Sequence, residues 1–233
     1  MESLIAALYP GIEQGDKPDQ YFLKRTILSS KNDAVDDINH AILEKFPGEK
    51  MVLMAADKVI RVENAHYPIE YLNTINVSGL PLAHLALKPG CPLMLLHDLN
   101  PANGLCNGTH MILITIKSRV LHCQVLRGNH AGKEVYISRI TIKPSSEDLP
   151  IPLSRRQFPV HLTFAMTINK AQGQSVINVG LDLHTSVFSH GQLYVALSRC
   201  TSPSRIKVLF PLNSDNTTTV NIVYPEVLTN VLN

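Results

Sequence analysis

Basic side chains are concentrated in the middle of this chain of 233 residues, and their type and spacing suit the binding of anions. Residues 116–170 contain nine lysines and arginines against three acidic residues, whereas residues 1–60 have a net charge of −3. An excess of six positive charges in one segment is typical of a surface that contacts a polyanion. A solvated β-surface with ordinary lysines is the alternative that charge alone leaves open.

The sequence motifs that hold nucleotide phosphates or metal ions are absent. A P-loop requires Gly-Lys followed by Ser or Thr, but the Gly-Lys pair of this chain, Gly132-Lys133, precedes Glu134, which indicates a hairpin turn. No apolar strand ends in Asp-Glu to hold Mg²⁺, and zinc, nucleophile-elbow and dinucleotide-binding patterns are also missing. The four cysteines form no Cys-x-x-Cys pair, so we interpret them as buried or idle thiols. We expect no metal site and no nucleotide bound by this chain alone.

Composition and hydropathy indicate a folded protein. Hydrophobic residues make up 45% of the chain and charged residues 17%, which is too apolar for a disordered tail. No apolar run reaches the roughly 18–20 residues that cross a bilayer, and the first residues lack the basic start of a secretion signal. These features favour an intracellular protein with no membrane partner, and we expect a monomer.

The first predicted secondary-structure elements are a strand and a helix. Residues 25–30 are a short β-prone run, and apolar residues recur at helical spacing over residues 32–46. Asn32 suits the N-cap of that helix. A second strand over residues 52–55 and one short helix over residues 69–75 are predicted next.

From Leu93 onwards the pattern changes to β-rich runs that are separated by turn signals such as Asn107-Gly108. Several short strands in about 50 residues predict a small barrel or curled sheet, closed by a proline-rich loop over residues 143–152. Alternation of strands and helices then returns: a strand (158–166), a turn into a helix (167–176), a strand (177–183), a helix (189–200) and a strand (205–210). The ends of the chain therefore predict one α/β sheet that a β-insertion interrupts.

Two segments near the C-terminus carry the most specific pattern in the chain. TFAMTINKAQGQS (163–175) and SHGQLYVALSRC (189–200) resemble motifs V and VI of the PIF family of superfamily 1 DNA helicases, in particular its Helitron branch. Further segments similar to that family are RTILSSKNDAVDDIN, LALKPGCPLMLLHDLNPANGLCNGT and the tail NTTTVNIVYPEVL. The resemblance covers about 200 of the 233 residues.

The resemblance implies an α/β fold, namely a RecA-like second motor domain interrupted by a small SH3-like β-barrel insertion called 2B. Residues 1–99 and 161–233 would form the motor domain, and residues 100–160 the insertion. The first motor domain, which carries the phosphate-binding and Mg²⁺-binding motifs, would be a missing partner, so ATP and Mg²⁺ are expected only when it is supplied. Single-stranded DNA is the implied nucleic-acid partner. The implied activity is that of a nuclear 5′ to 3′ ATP-dependent DNA helicase, with roles in DNA repair, recombination and telomere maintenance.

The resemblance also assigns roles to individual residues. Arg199 matches the motif VI arginine that reaches the γ-phosphate, and its rigid fork of donors suits charge spread over phosphoryl oxygens. The residues that match nucleotide contacts are Gln172, Gly173 and Gln174. The residues that match contacts with single-stranded DNA are Asn32, Thr167, Asn169 and Lys170. Without the family, Asn32 is a helix cap, and residues 169–174 are the capped start of another helix.

The chain also departs from the family pattern at several positions, with two fixed positive charges lost and one acid gained. Loss of fixed positive charge weakens any phosphate contacts made there, because affinity follows the number of neutralised phosphates. The departures are His97-Asp98 in place of Arg-Asn, His110 in place of Arg, Ser138 in place of Pro, and Ala171 and Ser175 in place of Ser and Thr. Besides part of a helicase, two interpretations therefore stay open: a non-catalytic module that binds single-stranded nucleic acid, and a decayed transposon remnant that binds nothing.

Two expectations follow for the chain by itself. It should not hydrolyse ATP, because Arg199 can act only when another domain presents the phosphates. It should bind single strands weakly, with backbone electrostatics supplying nearly all the affinity. Few aromatic side chains in the basic segment are available for base stacking, since Phe158 and Phe164 are predicted core residues and only Tyr136 remains.

Overall fold

The computed structural model describes residues 1–15, 17–60, 67–77, 79–144, 151–211 and 218–228. The chain divides into two compact units, the first formed by residues 1–45 and 164–233 and the second by residues 46–163. In chain order the helices and strands are α1 (Glu2–Leu8), α2 (Asp19–Leu23), β1 (Arg25–Ser29), α3 (Asn32–Lys45), β2 (Met51–Met54), β3 (Ala56–Val59), α4 (Ile69–Thr74), β4 (His84–Leu87), β5 (Pro92–Leu95), β6 (His110–Ile116), β7 (Val120–Val125), β8 (Glu134–Ser138), β9 (Ile140–Ile142), β10 (Leu153–Gln157), β11 (Val160–Leu162), β12 (Ala165–Thr167), β13 (Asn178–Asp182), α5 (Gln192–Leu197), β14 (Ile206–Leu209) and α6 (Pro225–Leu228). None of the helices in these residues is long and apolar enough to span a bilayer.

The first unit is built on a four-stranded parallel sheet with the strand order β12-β1-β13-β14. Its central strands are almost entirely buried, as shown by Ile27 and Leu28 of β1, because helices cover the faces of a parallel sheet. Helix α3 buries Val35, Ile38 and Ile42 at helical spacing, so its apolar stripe faces the core. The parallel sheet therefore ends its strands at one common edge.

Asn39 fixes α3 against the edge strand of that sheet. Its Nδ2 donates to the carbonyl of Ala165 at 3.1 Å, and its Oδ1 accepts a hydrogen bond from the N–H of Ala165 at 2.8 Å. Ala165 is the first residue of β12, and the Asn39 amide takes the place of the ladder partner that an edge strand lacks. Asn39 thereby sets the position of β12, which leads into the polar segment after Thr167.

The second unit consists of antiparallel sheets. Five strands follow the order β11-β5-β6-β7-β8, three follow β3-β10-β9, and β2 pairs with β4. In β7 the buried residues Leu121, Cys123 and Val125 alternate with less buried ones, which is the pattern of a sheet with one packed face. None of the four cysteines forms a disulfide, and Cys91, Cys123 and Cys200 are buried, as the sequence predicts.

Arg155 is buried in the second unit and is 0% exposed. Its Nε and Nη2 donate to the carboxylate of Asp57 at 2.7–3.1 Å, so the ion pair is bidentate. Its remaining donors reach the carbonyls of Leu72, Ile75 and Pro81 at 2.8–3.1 Å. A buried guanidinium is tolerated because each donor has a partner, and Arg155 thereby joins β10, β3 and the end of α4.

Most predicted elements and the α/β fold class are confirmed. The run over residues 25–30 is β1, the helix over residues 32–46 is α3, and one of the β-rich runs predicted after Leu93, residues 110–116, is β6. Asn32 is the first residue of α3 and not the residue before it. The SH3-like description of the insertion stays a prediction.

The run over residues 158–166, predicted as one strand, is two strands in two sheets. β11 pairs with β5 in the second unit, whereas β12 pairs with β1 in the first. The break falls between Thr163 and Phe164, which is also the boundary between the units. Periodicity does not reveal it, because both strands are buried and neither contains Gly or Pro.

The compact units also have limits different from those of the predicted segments 1–99, 100–160 and 161–233. β5 pairs with β6 and β11, and β3 pairs with β10, so residues 46–99 group with the strands that follow them. The compact unit that interrupts the parallel sheet spans residues 46–163, whereas the limits of the 2B insertion, residues 100–160, stay a prediction. Residues 145–150 of the predicted closing loop and residues 216–217 of the tail lie outside the described residues.

Candidate functional site

The carboxyl ends of the parallel strands bring several predicted DNA contacts to one edge of the first unit. Ser29 ends β1 and lies between Thr167 of β12 and Asp182 of β13 in the strand register. The N–H of Ile168 donates to the carbonyl of Ser29 at 3.0 Å, so the chain leaves β12 along this edge. Ligands of open α/β sheets bind beyond the carboxyl ends of the strands. This carboxyl edge is therefore the candidate contact surface.

Lys170 supplies positive charge at the carboxyl edge. Burial lowers the pKa of its half-buried ammonium group from the ordinary lysine value, and the carboxylate of Asp36 opposes that shift. Its backbone N–H donates to Oγ1 of Thr167 at 3.4 Å. A partly desolvated cation attracts a phosphate more strongly than a fully hydrated one does. Lys170 thus places a partly desolvated cation at the carboxyl edge, with the Asp36 carboxylate nearby as a competing anion.

Asn32 and Asn169 are exposed polar residues of the same unit. Asn32 begins α3, and its side chain makes no hydrogen bond with any described residue, so the alternative role of helix cap finds no support in its contacts. Asp33 lies in the first turn of α3, where a carboxylate interacts favourably with the helix dipole and repels phosphate. Asn32 is therefore free to contact a ligand, next to an unfavourable charge.

The segment after Thr167 forms a turn instead of the predicted helix. The N–H of Ala171 donates to the carbonyls of Thr167 and Ile168, both at 3.2 Å, and the next bonded N–H groups reach back only three residues. Gly173 then adopts a φ of +79°, a left-handed conformation that ends any helical run. The interpretation of residues 169–174 as the capped start of a helix is therefore wrong.

Arg199 connects the two predicted motifs. Its Nη1 donates to the carbonyls of Ala171 and Gln174 at 3.3 and 3.0 Å, and its own carbonyl accepts the N–H of Val176 at 2.9 Å. The residue follows α5 and is half-buried. The predicted nucleotide contact Gln174 is thus held by Arg199, while Gln172 and Gly173 are exposed on the same turn.

The guanidinium of Arg199 is oriented from its own helix as well. Nε donates to the carbonyl of Val195 at 2.9 Å, and Nη2 lies 2.8 Å from Oγ of Ser198. Together with the two bonds to the turn, four of the five N–H donors of an arginine are engaged. A phosphate would meet a preordered fork and would have to use the remaining donor or displace a carbonyl.

A buried carboxylate at the carboxyl edge was not among the predicted contacts. Asp182 is 4% exposed and accepts hydrogen bonds from Oγ of Ser29 at 3.2 Å and from Nδ1 of His184 at 2.8 Å. An acid followed two residues later by histidine, where a predicted strand ends, is the signal that could have found this network. The hydrogen bonds of Asp182 hold Ser29, which pairs with Thr167 in the strand register at the carboxyl edge. No group of three or more His, Cys, Asp or Glu side chains in the described ranges is arranged to hold a metal ion.

The basic segment is used partly inside the second unit. Arg155 is fully buried, and Arg139 donates to the carbonyl of Met54 at 2.6 Å and lies 4.7 Å from the ring centre of Phe158. The polyanion surface expected from residues 116–170 is therefore smaller than the charge count indicates. The cations of this segment that are exposed in the second unit are Lys117, Arg119, Lys133, Lys143 and Arg156.

Two of the departures from the family pattern make local contacts of their own. Asp98 accepts the N–H of Asn107 at 2.7 Å, and Nε2 of His97 lies 2.9 Å from the carbonyl of Gly79. These contacts stabilise turns of the second unit. The two residues therefore have structural roles that need no phosphate.

Comparisons with known proteins agree with these features. Residues 70–116 match the family model described as DNA helicase Pif1, 2B domain. The chain is 30% identical over 191 residues to the ATP-dependent DNA helicase PIF1 of Xenopus laevis and 31% identical over 185 residues to that of Homo sapiens. Each alignment covers 79% of this chain and 27% of the relative. The chain thus spans about a quarter of the length of these curated relatives.

Solved structures share the fold. The crystal structure of Pif1 helicase from Candida albicans matches with a TM-score of 0.66 and 22% identity, over 100% of this chain and 58% of that chain. Bacteroides Pif1 bound to ssDNA matches with a TM-score of 0.62 and 20% identity, over 98% and 53% of the two chains. A further Bacteroides Pif1 structure, in complex with ADP-AlF3 and ssDNA, gives a TM-score of 0.63 at 21% identity, over 99% and 48%.

Proposed function

This chain corresponds to the C-terminal region of the PIF family of superfamily 1 DNA helicases, and on that premise we propose that it is the second half of an ATP-dependent motor. It contributes single-strand contacts at the carboxyl edge and an arginine finger, Arg199. The nucleotide and Mg²⁺ are held mainly by a first motor domain outside this chain. The 5′ to 3′ direction, the Helitron branch, the monomeric state and a nuclear location belong to the same proposal.

The observation that carries the proposal is the pair of hydrogen bonds from Arg199 to Ala171 and Gln174. The turn that these carbonyls belong to starts at Thr167 and Lys170, on the carboxyl edge. A movement of Arg199 towards a γ-phosphate would therefore pull on the segment proposed to contact DNA. A helicase motor requires such a mechanical link between its ATP site and its single-stranded DNA site.

The DNA side of the proposal rests on charge and hydrogen-bonding groups. Lys170 neutralises one phosphate, Thr167 and Asn169 offer a hydroxyl and an amide, and Asn32 offers a second amide. All of these groups would contact the sugar-phosphate backbone of the DNA, so they would give no base specificity. The nucleotide side rests on Arg199, with Gln172, Gly173 and Gln174 on the turn beside it.

Reconstitution tests the proposal. The chain is mixed with a first motor domain of a PIF helicase, and ATP hydrolysis is measured with and without oligo(dT). We expect hydrolysis only in the mixture, stimulated by the single strand, and a loss of about 10³-fold or more in kcat for Arg199→Ala. Arg199→Lys should also be defective, because a point charge cannot replace the planar fork. Arg205→Ala, at an exposed arginine of the same unit, is the matched control.

A non-catalytic module that binds single strands is a second candidate. It is favoured by the engagement of four of the five Arg199 donors within the chain, which leaves a single donor for a phosphate. In that case the mixture binds oligo(dT) but gains no hydrolysis, and Arg199→Ala changes stability alone. Hydrolysis by the isolated chain that Arg199→Ala abolishes would contradict both candidates.

A further inference from the structure

An ordered aromatic pair lies on the less buried face of the antiparallel sheet in the second unit. Tyr136 of β8 and His122 of β7 are directly opposite in the strand register, with ring centres 4.7 Å apart and ring planes within 14° of parallel. Nε2 of His122 donates to Oε2 of Glu134 at 2.8 Å, which fixes the imidazole plane. The two rings therefore form a preordered stack.

One side of this stack is open. Tyr136 is 67% exposed, although its strand neighbours Val135 and Ile137 are 6% and 0% exposed. β8 is the edge strand of the five-stranded sheet, so no further strand of that sheet covers Tyr136 on the side away from His122. An aromatic ring with one face covered and the other free suits the stacking of another planar ring.

Positive charges lie at both ends of β8. Val120 pairs with Ser138, two residues along β8 from Tyr136, and Lys117 and Arg119 are exposed in the turn just before Val120. Lys133 is exposed just before the other end of β8 and donates to Oδ1 of Asn103 at 2.8 Å. At about 3.4 Å per residue, Lys133 and Ser138 both lie within roughly 10 Å of Tyr136 along the strand.

We propose that Tyr136, held in place by His122, is a stacking platform for one base of a single-stranded nucleic acid. Lys117, Arg119 and Lys133 contact the phosphates on either side of that base. An aromatic ring alone would accept any planar group, but a base is the planar group that has an anion on each side. Stacking is tolerant of sequence, so the platform adds affinity without base readout. The site lies in the other unit from the carboxyl edge, so the two proposals can fail separately.

Two oligonucleotides of equal length separate stacking from charge. One is oligo(dT), and the other carries an abasic tetrahydrofuran at every position, so both present the same phosphates. Binding of the full chain is measured by fluorescence anisotropy at low salt. We expect the wild type to prefer oligo(dT), Tyr136→Ala to lose about 5- to 150-fold of its affinity for oligo(dT) and little for the abasic strand, and Tyr136→Phe to behave like the wild type.

The chain offers a matched control in Tyr224, which lies beside His190 in the first unit with ring centres 5.5 Å apart and a tilt of 32°. Tyr224→Ala should leave both affinities unchanged. The salt slope should be the same in the wild type and in Tyr136→Ala, because no phosphate contact is removed. Urea unfolding of each variant shows whether an exposed substitution has disturbed the fold.

The outcomes are distinct. Equal binding of the two strands by the wild type, or an equal loss for both strands in Tyr136→Ala, overturns the platform and leaves the carboxyl edge in place. If Lys170→Ala weakens binding of both oligonucleotides and the preference for oligo(dT) is unchanged, the result supports both the platform and the carboxyl edge. If the chain binds neither oligonucleotide at low salt, both the platform and the carboxyl-edge site are wrong.

Discussion

The two units use polar side chains in opposite ways. In the first unit Thr167, Lys170 and the Ser29–Asp182 pair collect where parallel strands end, and part of this set remains accessible. In the second unit Arg155 is 0% exposed, and its donors are spent on Asp57 and on three carbonyls. Charge counted along a sequence therefore predicts a binding surface only where the fold leaves the charged groups open. Removal of a charged side chain should therefore reduce stability in the second unit and nucleic-acid binding in the first.

The largest expected effect on stability is in the second unit. Arg155→Ala leaves the Asp57 carboxylate buried without its partner, so the free energy of unfolding should fall by about 3–5 kcal/mol. Urea unfolding, with hydrogen exchange read at β3, β9 and β10, measures it. The neighbour Arg156 is exposed, and Arg156→Ala should change stability by less than about 0.5 kcal/mol. Equal effects of the two substitutions would contradict the role given to Arg155.

The next effect lies in the first unit. Asn39→Ala removes both hydrogen bonds to Ala165 and leaves its buried N–H and carbonyl without these partners, which should cost about 1–3 kcal/mol of unfolding free energy. Asn32→Ala, at an exposed position of the same helix, is the control and should be nearly neutral. Retention of full stability in Asn39→Ala would mean that β12 is positioned by other contacts.

A pH dependence distinguishes the second unit further. Burial raises the pKa of Cys91 and of Cys123 to about 12, above the ordinary thiol value of 9.0. Unfolded thiols ionise first as pH rises, so this stability is complete below pH 9 and is lost between pH 9 and about 12. At pH 10 each thiol should have lost on the order of 1 kcal/mol of this stabilisation.

Alkaline unfolding experiments read out this loss. Cys91→Ala or Cys123→Ala should flatten the fall in urea midpoint between pH 8.5 and pH 10, whereas Cys106→Ala, at a half-buried thiol, should leave it unchanged. The same steep fall in all three variants would assign the pH dependence to other groups.

The smallest effect concerns the carboxyl edge. Lys170→Ala should weaken binding to single strands and reduce the log–log salt slope by about 0.7, since one phosphate contact is lost. Lys207→Ala removes the same charge from the exposed face of β14 and should leave the slope nearly unchanged. If both variants lose equally, net charge and not a site at the carboxyl edge accounts for binding.

Local patterns predicted much of this structure. The runs that became β1, α3 and β6 carry their periodicity within a few residues, and the apolar burial of Phe158 and Phe164 follows from their neighbours. The helix expected after Thr167 was wrong, because Gly173 at φ +79° ends the run after about one turn. β3 and β10 gave no alternating signal, since Asp57 in β3 and the buried Arg155 in β10 occupy positions where apolar residues are expected.

The family resemblance, the α/β class and the residues worth testing were all predictable from the sequence, because motifs and periodicity depend on residues that are close together in the chain. The contacts of those residues, in contrast, depend on long-range packing. Arg155 and Asp57 are 98 residues apart in the chain, and Asn39 and Ala165 are 126 apart. Such long-range pairs determine whether a charged side chain is paired inside the fold or is accessible to a ligand, and a local sequence pattern does not reveal them.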